Sequence, residues 1–244
     1  MKIEGRNAVR EAVNSGTTFS KVMVSKGDHD KVFNDLITLL KSKGIKLQWV
    51  APEVVQKESE TKHAQGVIAF ADDYKYAEVS DILQRAKEKG EDPFILILDG
   101  IEDPHNFGSI IRVAECMGVH GIIFGKNRAC QVTETVIRTS AGASSHMLIA
   151  RVTNINTEIE RLKKQNVWVY SCELGGEDIV KSNLTGPLAI VIGSEGFGTS
   201  RLTKELCDGV VTIPMVGKVN SLNASVATGM AVYEAFRQRN YKWK

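Results

Sequence analysis

The chain has 244 residues, 43% of them hydrophobic and 25% charged, with a formal net charge of +2. It is long enough to bury one large α/β core or two smaller ones, and its composition is that of an ordinary globular protein. So small a positive excess does not by itself announce nucleic acid, and no apolar run reaches the length of a membrane span. The opening "MKIEGRNAVREAV" lacks the apolar core of a signal peptide. Cys116, Cys130, Cys172 and Cys207 are scattered without a C-x-x-C pair, which argues against a zinc site and suits buried thiols in a reducing cytosol. A cytoplasmic protein without a metal is expected.

Residues 1–73 alternate helical and strand patterns: "GRNAVREAV", "KVMVS", the amphipathic "DKVFNDLITLLKSKG", "IKLQWV" and "GVIAF". They predict a compact α/β module with three or four short strands. Its 11 basic and 10 acidic residues nearly cancel, so any RNA surface on it is a local patch. The segment 74–93 is highly charged, and only Val79, Ile82, Leu83 and Ala86 give it an apolar face. It reads as a linker helix ending at Gly90.

Residues 94–244 open with "FILILDG", a continuous apolar run of the kind found in buried parallel strands. Further strand patterns follow in "VHGIIFG", "HMLIARV", "VWVYSC", "PLAIVIG" and "VVTIP", with helical patterns such as "GSIIRVAECMG" and "TEIERLKKQN" between them. This alternation predicts a doubly wound α/β domain whose ligands sit beyond the carboxyl ends of the strands.

Three strand ends stand out. In "LDGIEDPHNFGSIIRVAECMG", Asp103, Asn106 and Ser109 are turn and capping residues, and Asn106 and Arg112 flank the start of a helix. His105 has no second His or Cys at ligand spacing, so it reads as a loop residue. In "LAIVIGSEGFGTS", the order G-x-x-G-x-G is not the dinucleotide fingerprint, and no phosphate-loop motif occurs anywhere. Glu195 there is either a turn-stabilising carboxylate or a site residue. In "IPMVGKVNSLNASVATGMAVYEAFRQ", Asn220, Ser221, Asn223 and Ser225 crowd one strand-to-helix junction, although one helix cap needs one such side chain. Val226, Met230, Tyr233 and Phe236 form the packing face of the helix that follows, toward the core or a second subunit. The tail "RQRNYKWK" interleaves Arg237, Arg239, Lys242 and Lys244 with Tyr241 and Trp243. It reads either as a surface for phosphates and bases or as a frayed terminus.

"NFGSIIR", "VIGSEGFG" and "IPMVGKVNSLNASVA", in that order, resemble the three motifs of the SPOUT methyltransferase superfamily. More narrowly they are similar to the SpoU/TrmH branch, which methylates ribose 2′-hydroxyls in RNA. The resemblance covers Phe94 to Gln238. Through "IEGRNAVREAV" and "KHAQGVIA", the front module resembles the substrate-binding domain of these enzymes, which is similar to the L7Ae/L30e ribosomal protein fold.

The resemblance implies a trefoil knot in the carboxyl-terminal domain and S-adenosylmethionine as cofactor. By motif position, backbone groups of Gly193, Ile213 and Leu222 would hold it, with Gly196 and Met215 close by. Arg112 matches the family's essential arginine, gripping the RNA phosphate or accepting the proton. Glu195 would accept the proton or orient Arg112, and Asn106, Ser221 and Asn223 would place the ribose. Arg6, Arg10, Lys62, His63 and Gln65 flank the front segments and are the expected RNA contacts. A homodimer is implied as well. The two-module layout most resembles the bacterial large-subunit ribosomal RNA guanosine 2′-O-methyltransferases, with transfer RNA left open as substrate. Two competing readings are a Rossmann-type nucleotide enzyme, which lacks its fingerprint here, and a non-catalytic RNA-binding or ribosome-assembly protein.

Overall fold

The computed structural model describes residues 2–14, 17, 19–27, 30–71, 74–218 and 221–239. Asn220 and the tail residues Tyr241, Lys242, Trp243 and Lys244 lie outside the described residues. The chain divides into two compact units, Met1–Tyr74 and Lys75–Lys244.

The first unit runs β1 (Lys2–Glu4), α1 (Arg6–Asn14), β2 (Phe19–Ser25), α2 (Lys31–Ser42), β3 (Leu47–Val50), α3 (Pro52–Glu58) and β4 (Val67–Ala71). Its sheet has the order β1-β4-β2-β3, with β2 and β3 parallel and the other pairs antiparallel. Side chains alternate between the two faces of a strand. Val22, Val24, Val67 and Ala69 therefore join Val9 and Val13 of α1 and Phe33, Leu36 and Leu40 of α2 in the main core. Met23 and Ile68 face the other way, onto Val55 of α3. Asp30 caps α2 by accepting from the Phe33 N–H at 2.9 Å. The sequence pattern does not predict β1 or α3, which are three and seven residues long. Neither is long enough to show a period.

The second unit runs α4 (Val79–Lys89), β5 (Phe94–Asp99), α5 (Pro104–Cys116), β6 (Gly121–Gly125), α6 (Glu134–Thr139), β7 (Leu148–Val152) and α7 (Ile155–Lys164). It continues with β8 (Trp168–Asp178), β9 (Leu188–Gly193), α8 (Arg201–Leu206), β10 (Gly209–Thr212) and α9 (Ala224–Gln238). Six parallel strands form one sheet in the order β10-β8-β9-β5-β6-β7. Helix α4, read from sequence as a linker, is part of this unit's core. Ile82 and Ala86 are fully buried, and Ile82 packs with Ile95, Ile97 and Ile123. A Cβ on Gly121 would overlap the Ile82 side chain, so the glycine is what lets α4 lie so close.

On the opposite face α5 buries Phe107, Ile110, Ile111 and Ala114, with the Phe107 and Phe124 rings 5.2 Å apart. Helix α5 also touches α6 directly at Gly108, where a Cβ would stand 2.6 Å from Thr139 Cβ. Strand β10 lies at the sheet edge, yet α9 packs on α5 and β9. Residues 213–223 therefore carry the chain from the edge back toward the middle of the sheet.

Two expectations need correction. The core face of α9 is Ala224, Thr228, Ala231, Val232 and Ala235, whereas Val226, Met230 and Tyr233 are 50%, 46% and 55% exposed. Small residues bring α9 close to α5; Val226, Met230 and Tyr233 stand outside the core, on the side left for a second subunit, and Phe236 is half-buried. Of the cysteines, Cys116 is exposed in the last turn of α5 and the other three are only half-buried. Burial still pushes the Cys172 thiol up to about 11 and the Cys207 thiol up to about 12, which keeps both protonated and inert.

Candidate active site

The site grows from the cap of α5. Asp103 accepts from the His105 and Asn106 N–H groups, both at 3.2 Å, and Pro104 takes the first helical position. This places buried Asn106 at the carboxyl end of β5. Directly after β9 the chain folds back on itself: Ser194 N donates to Gly198 O and Gly198 N to Ser194 O, each at 3.0 Å. Gly196 and Gly198 take φ of 87° and 65° in this turn, a region that favours glycine. The turn holds Glu195 out toward Asn106 and toward the amino end of α9.

Glu195 Oε1 accepts three hydrogen bonds: from Asn223 Nδ2 at 2.7 Å, from the Ala224 N–H at 3.0 Å and from Asn106 Nδ2 at 3.1 Å. Asn223 Nδ2 also donates to Asn106 Oδ1 at 2.9 Å. All three motifs thus meet at one carboxylate oxygen. Ala224 N is one of the unpaired donors at the start of α9, so Glu195 completes that helix end, and its negative charge sits where the helix dipole favours it. Asn223 Oδ1 caps the same helix through the Ser225 and Val226 N–H groups and also accepts from the Ser225 hydroxyl. Both amide hydrogens of Asn223 and its oxygen are therefore spent within the protein. Among the described residues, one amide hydrogen of Asn106 has no partner.

The other expected site residues differ in character. Arg112 is exposed on α5 and makes no ion pair or hydrogen bond among the described residues; in particular Glu195 does not hold it. Ser221 is exposed. Gly193 ends β9 at a place where a Cβ would overlap the backbone of Gly198 and Thr199. Ile213 is buried, and Met215 and Leu222 are half-buried. Among the described residues, the backbone groups of Ile213, Met215 and Leu222 have no hydrogen-bond partner.

Beside the Glu195 cluster a cleft of about 870 Å³ opens over the carboxyl ends of β5, β6 and β7. Asn106, Glu195 and Phe197 line it on one side, and Asp99, Asn127, Arg128, Asn154 and Asn156 on the others. These last five were not singled out from the sequence, although the strand-end rule points at their positions. Among the described residues no group of three or more His, Cys, Asp or Glu lies as a metal site would, and no helix is long and apolar enough to cross a membrane.

In the first unit, Arg6 and Gln65 come together. Arg6 Nε donates to Gln65 O at 3.0 Å, Arg6 N donates to Gln65 Oε1 at 3.3 Å, and Arg6 Nη1 reaches Asp30 at 2.5 Å. Arg10 Nη2 donates to Val32 O at 3.1 Å. Both arginines are engaged inside the unit, whereas Lys62 and His63 are exposed in the loop before β4. Lys62 and Gln65 hold left-handed φ of 61° and 51° there. Glu4 ties this loop down, accepting from the Ser59 hydroxyl, the Glu60 N–H and the Thr61 N–H and hydroxyl. The Thr61 hydroxyl, with the Glu60 and Ser59 bonds behind it and partial burial opposing, holds the Glu4 carboxyl down to about 2.

Residues 93–233 match the SpoU rRNA Methylase family, and residues 2–77 match the RNA 2′-O ribose methyltransferase substrate binding family. YacO of Bacillus subtilis (strain 168), by its name a candidate TrmH family tRNA/rRNA methyltransferase, is 44% identical over 97% of this chain and 95% of its own length. The crystal structure of the SpoU methyltransferase AviRb from Streptomyces viridochromogenes in complex with AdoMet superposes with a TM-score of 0.67 at 25% identity, covering 98% of this chain and 90% of its own. The A. aeolicus TrmH/SpoU tRNA modifying enzyme gives a TM-score of 0.56 at 25% identity, over 64% of this chain and 83% of its own. The chain belongs to the SpoU methylase family, with that family's α/β trefoil-knot domain following, along the sequence, a smaller α/β substrate-binding domain.

Proposed function

We propose that this chain methylates a ribose 2′-hydroxyl in RNA with S-adenosylmethionine, and that its substrate is a guanosine of large-subunit ribosomal RNA. The observation that carries the reading is the meeting of Asn106, Glu195 and Asn223 beside a backbone stretch with unspent polar groups. Buried peptide groups are nearly always paired. Ile213 is buried with its N–H and C=O unpaired among the described residues, as a cofactor held by backbone requires. Gly193, Gly196, Ile213, Met215 and Leu222 would hold S-adenosylmethionine, which when bound supplies an electrophilic methyl group.

The chain's own residues have separable tasks. Glu195 fixes the turn, α5 and α9 against one another, so that the cofactor wall and the RNA-facing residues keep one geometry. Arg112, exposed and unpaired, offers a planar fork to the phosphate beside the target ribose. Ser221 and the remaining amide hydrogen of Asn106 orient the ribose. The first unit selects the RNA through Arg6, Arg10, Lys62, His63 and Gln65, with Arg6 also holding the loop in place through Gln65.

Ribosomal RNA is favoured because two units are present. The tRNA-modifying structure from A. aeolicus corresponds to a share of this chain smaller than its second unit alone. The exposed stripe of Val226, Met230 and Tyr233 on α9 supports a homodimer, since a closed two-fold pairing buries one such stripe against its copy. Light scattering at micromolar concentration is expected to give twice the chain mass; a single-chain mass would refute the dimer. A cytoplasmic location follows from an RNA substrate of this kind. The substrate is tested by mapping 2′-O-methyl groups in total RNA from cells lacking the chain and from their parent. One large-subunit guanosine is expected to lose its methyl group. A loss confined to transfer RNA would move the assignment there, and no loss at all would overturn the reading.

A further inference from the structure

Phe197 is 95% exposed, although it lies two residues from Glu195 in the turn closed by Ser194 and Gly198. A phenyl ring this bare contributes no burial to folding. Single exposed apolar residues need no explanation in general, but the place of this one is particular. It stands at the rim of the 870 Å³ cleft over the carboxyl ends of β5, β6 and β7. That cleft adjoins the boundary between β9 and β5, where the direction of strand addition reverses and where open parallel sheets take ligands. Its walls carry unspent hydrogen-bonding groups. Asn127 and Arg128 have no partner among the described residues. Among the described residues, Asn154 and Asn156 engage only their side-chain oxygens, with the Asn156 N–H and the Thr203 hydroxyl respectively, and their amide hydrogens have no partner.

We propose that Phe197 and this cleft form a nucleobase subsite, in which the ring stacks on the base of the target nucleotide and the amides of Asn127, Asn154 and Asn156 meet its polar edge. The inference rests on the RNA-methylating reading above. Unpaired bases in RNA are bound by stacking on aromatic rings combined with hydrogen bonds to their edges, and the cleft offers both. The Cα atoms of Phe197 and Glu195 are at most ~7 Å apart, so a base on the ring and a ribose at the Glu195 cluster belong to one nucleotide. A protein partner fits less well. The flanking residues are Glu195, Gly196, Gly198 and Thr199, so one isolated ring offers no apolar patch for a protein interface.

The test compares the parent with Phe197→Tyr, Phe197→Leu and Phe197→Ala, using labelled S-adenosylmethionine and total RNA from cells lacking the chain. The Tyr variant is expected to keep the parent KM for RNA. The Leu and Ala variants are expected to raise it about tenfold or more, because leucine keeps the apolar bulk but not the π face. Cofactor affinity by calorimetry should stay at the parent value in all three. Parent-like RNA KM values for both Leu and Ala would overturn the subsite. So would a drop in assembly mass for the Ala variant in light scattering, which would place the ring in a contact between chains. If the parent itself methylates no RNA, the broader reading fails and the subsite with it; activity in the parent with no change in the variants sinks the subsite alone.

Discussion

Replacing Glu195 by Gln separates holding the site together from taking a proton. In the structure Oε1 accepts from Asn223 Nδ2, Ala224 N and Asn106 Nδ2, all within 3.1 Å. A glutamine can put its carbonyl oxygen in the same place and keep those three bonds. What it loses is their charged character. A hydrogen bond to a charged group contributes about 1.5–3 kcal/mol against about 1 for a neutral one. Glu195 is exposed to water, so the low end applies, roughly 0.5 kcal/mol per bond and about 1–2 kcal/mol in all. For a unit of this size that is a fall of roughly 2–8 °C in its melting temperature. Glu195→Ala removes the acceptor altogether and leaves the Ala224 N–H, at a residue only 5% exposed, without its partner. It should cost about 2–4 kcal/mol. Calorimetric melting and single-turnover methylation with saturating enzyme measure the two effects. Glu195→Gln is expected to retain activity within about tenfold, and Glu195→Ala to lose considerably more. A loss of about 100-fold or more in the Gln variant, with parent melting and cofactor affinity, would refute the positioning role and make Glu195 a general base.

Three further outcomes are expected. Arg112→Lys keeps the charge but not the planar fork, so neither it nor Arg112→Ala should support turnover, while calorimetry finds S-adenosylmethionine bound as tightly as in the parent. Removing residues 1–73 should leave cofactor affinity intact and sharply weaken RNA binding in a filter assay, because the two units have separate cores; unchanged RNA affinity would refute the division of labour. His120 is 1% exposed, with Nδ1 accepting from the Phe94 N–H and Nε2 facing Glu91, each at 3.0 Å. Burial, aided by Lys89 and Arg239 and opposed by Glu91, holds it below the ordinary histidine value of about 6.5. The neutral ring's contribution is thus complete above about 6.5 and is lost as pH falls through the lower folded value. The melting temperature should drop as pH goes from 7 to 5, and His120→Asn, which keeps an acceptor for Phe94, should flatten that dependence.

Much of the second unit was legible because its strands are continuous apolar runs bounded by glycine or proline, and "FILILDG" and "PLAIVIG" became β5 and β9 nearly residue for residue. What periodicity does not carry is which surface of a helix meets which neighbour. The α9 pattern draws the eye to Val226, Met230 and Tyr233, yet close approach to α5 needs small side chains, and Ala231 and Ala235 supply it. Asn106, Glu195 and Asn223 could be named from their motifs, but not their bonds to each other. Asn106 is 89 residues from Glu195 and 117 from Asn223, so only the folded backbone decides that all three share one oxygen.

That sharing also explains the crowded junction after residue 219. Asn223 and Ser225 are consumed in capping α9 and tying it to Asn106 and Glu195, which leaves exposed Ser221, without a partner among the described residues, to meet a ligand. The excess of polar side chains is therefore divided between fold and site. A backbone that returns from the sheet edge to its middle must satisfy its new helix end far from its own strand, and Glu195 of a different turn does so. The same constraint predicts how substitutions there should sort. Ser221→Ala should affect turnover with little change in melting, whereas Asn223→Ala should lower the melting temperature first, through the lost cap and the two lost bonds of its amide. Equal melting for the two variants would show that the junction does not divide its polar groups in this way.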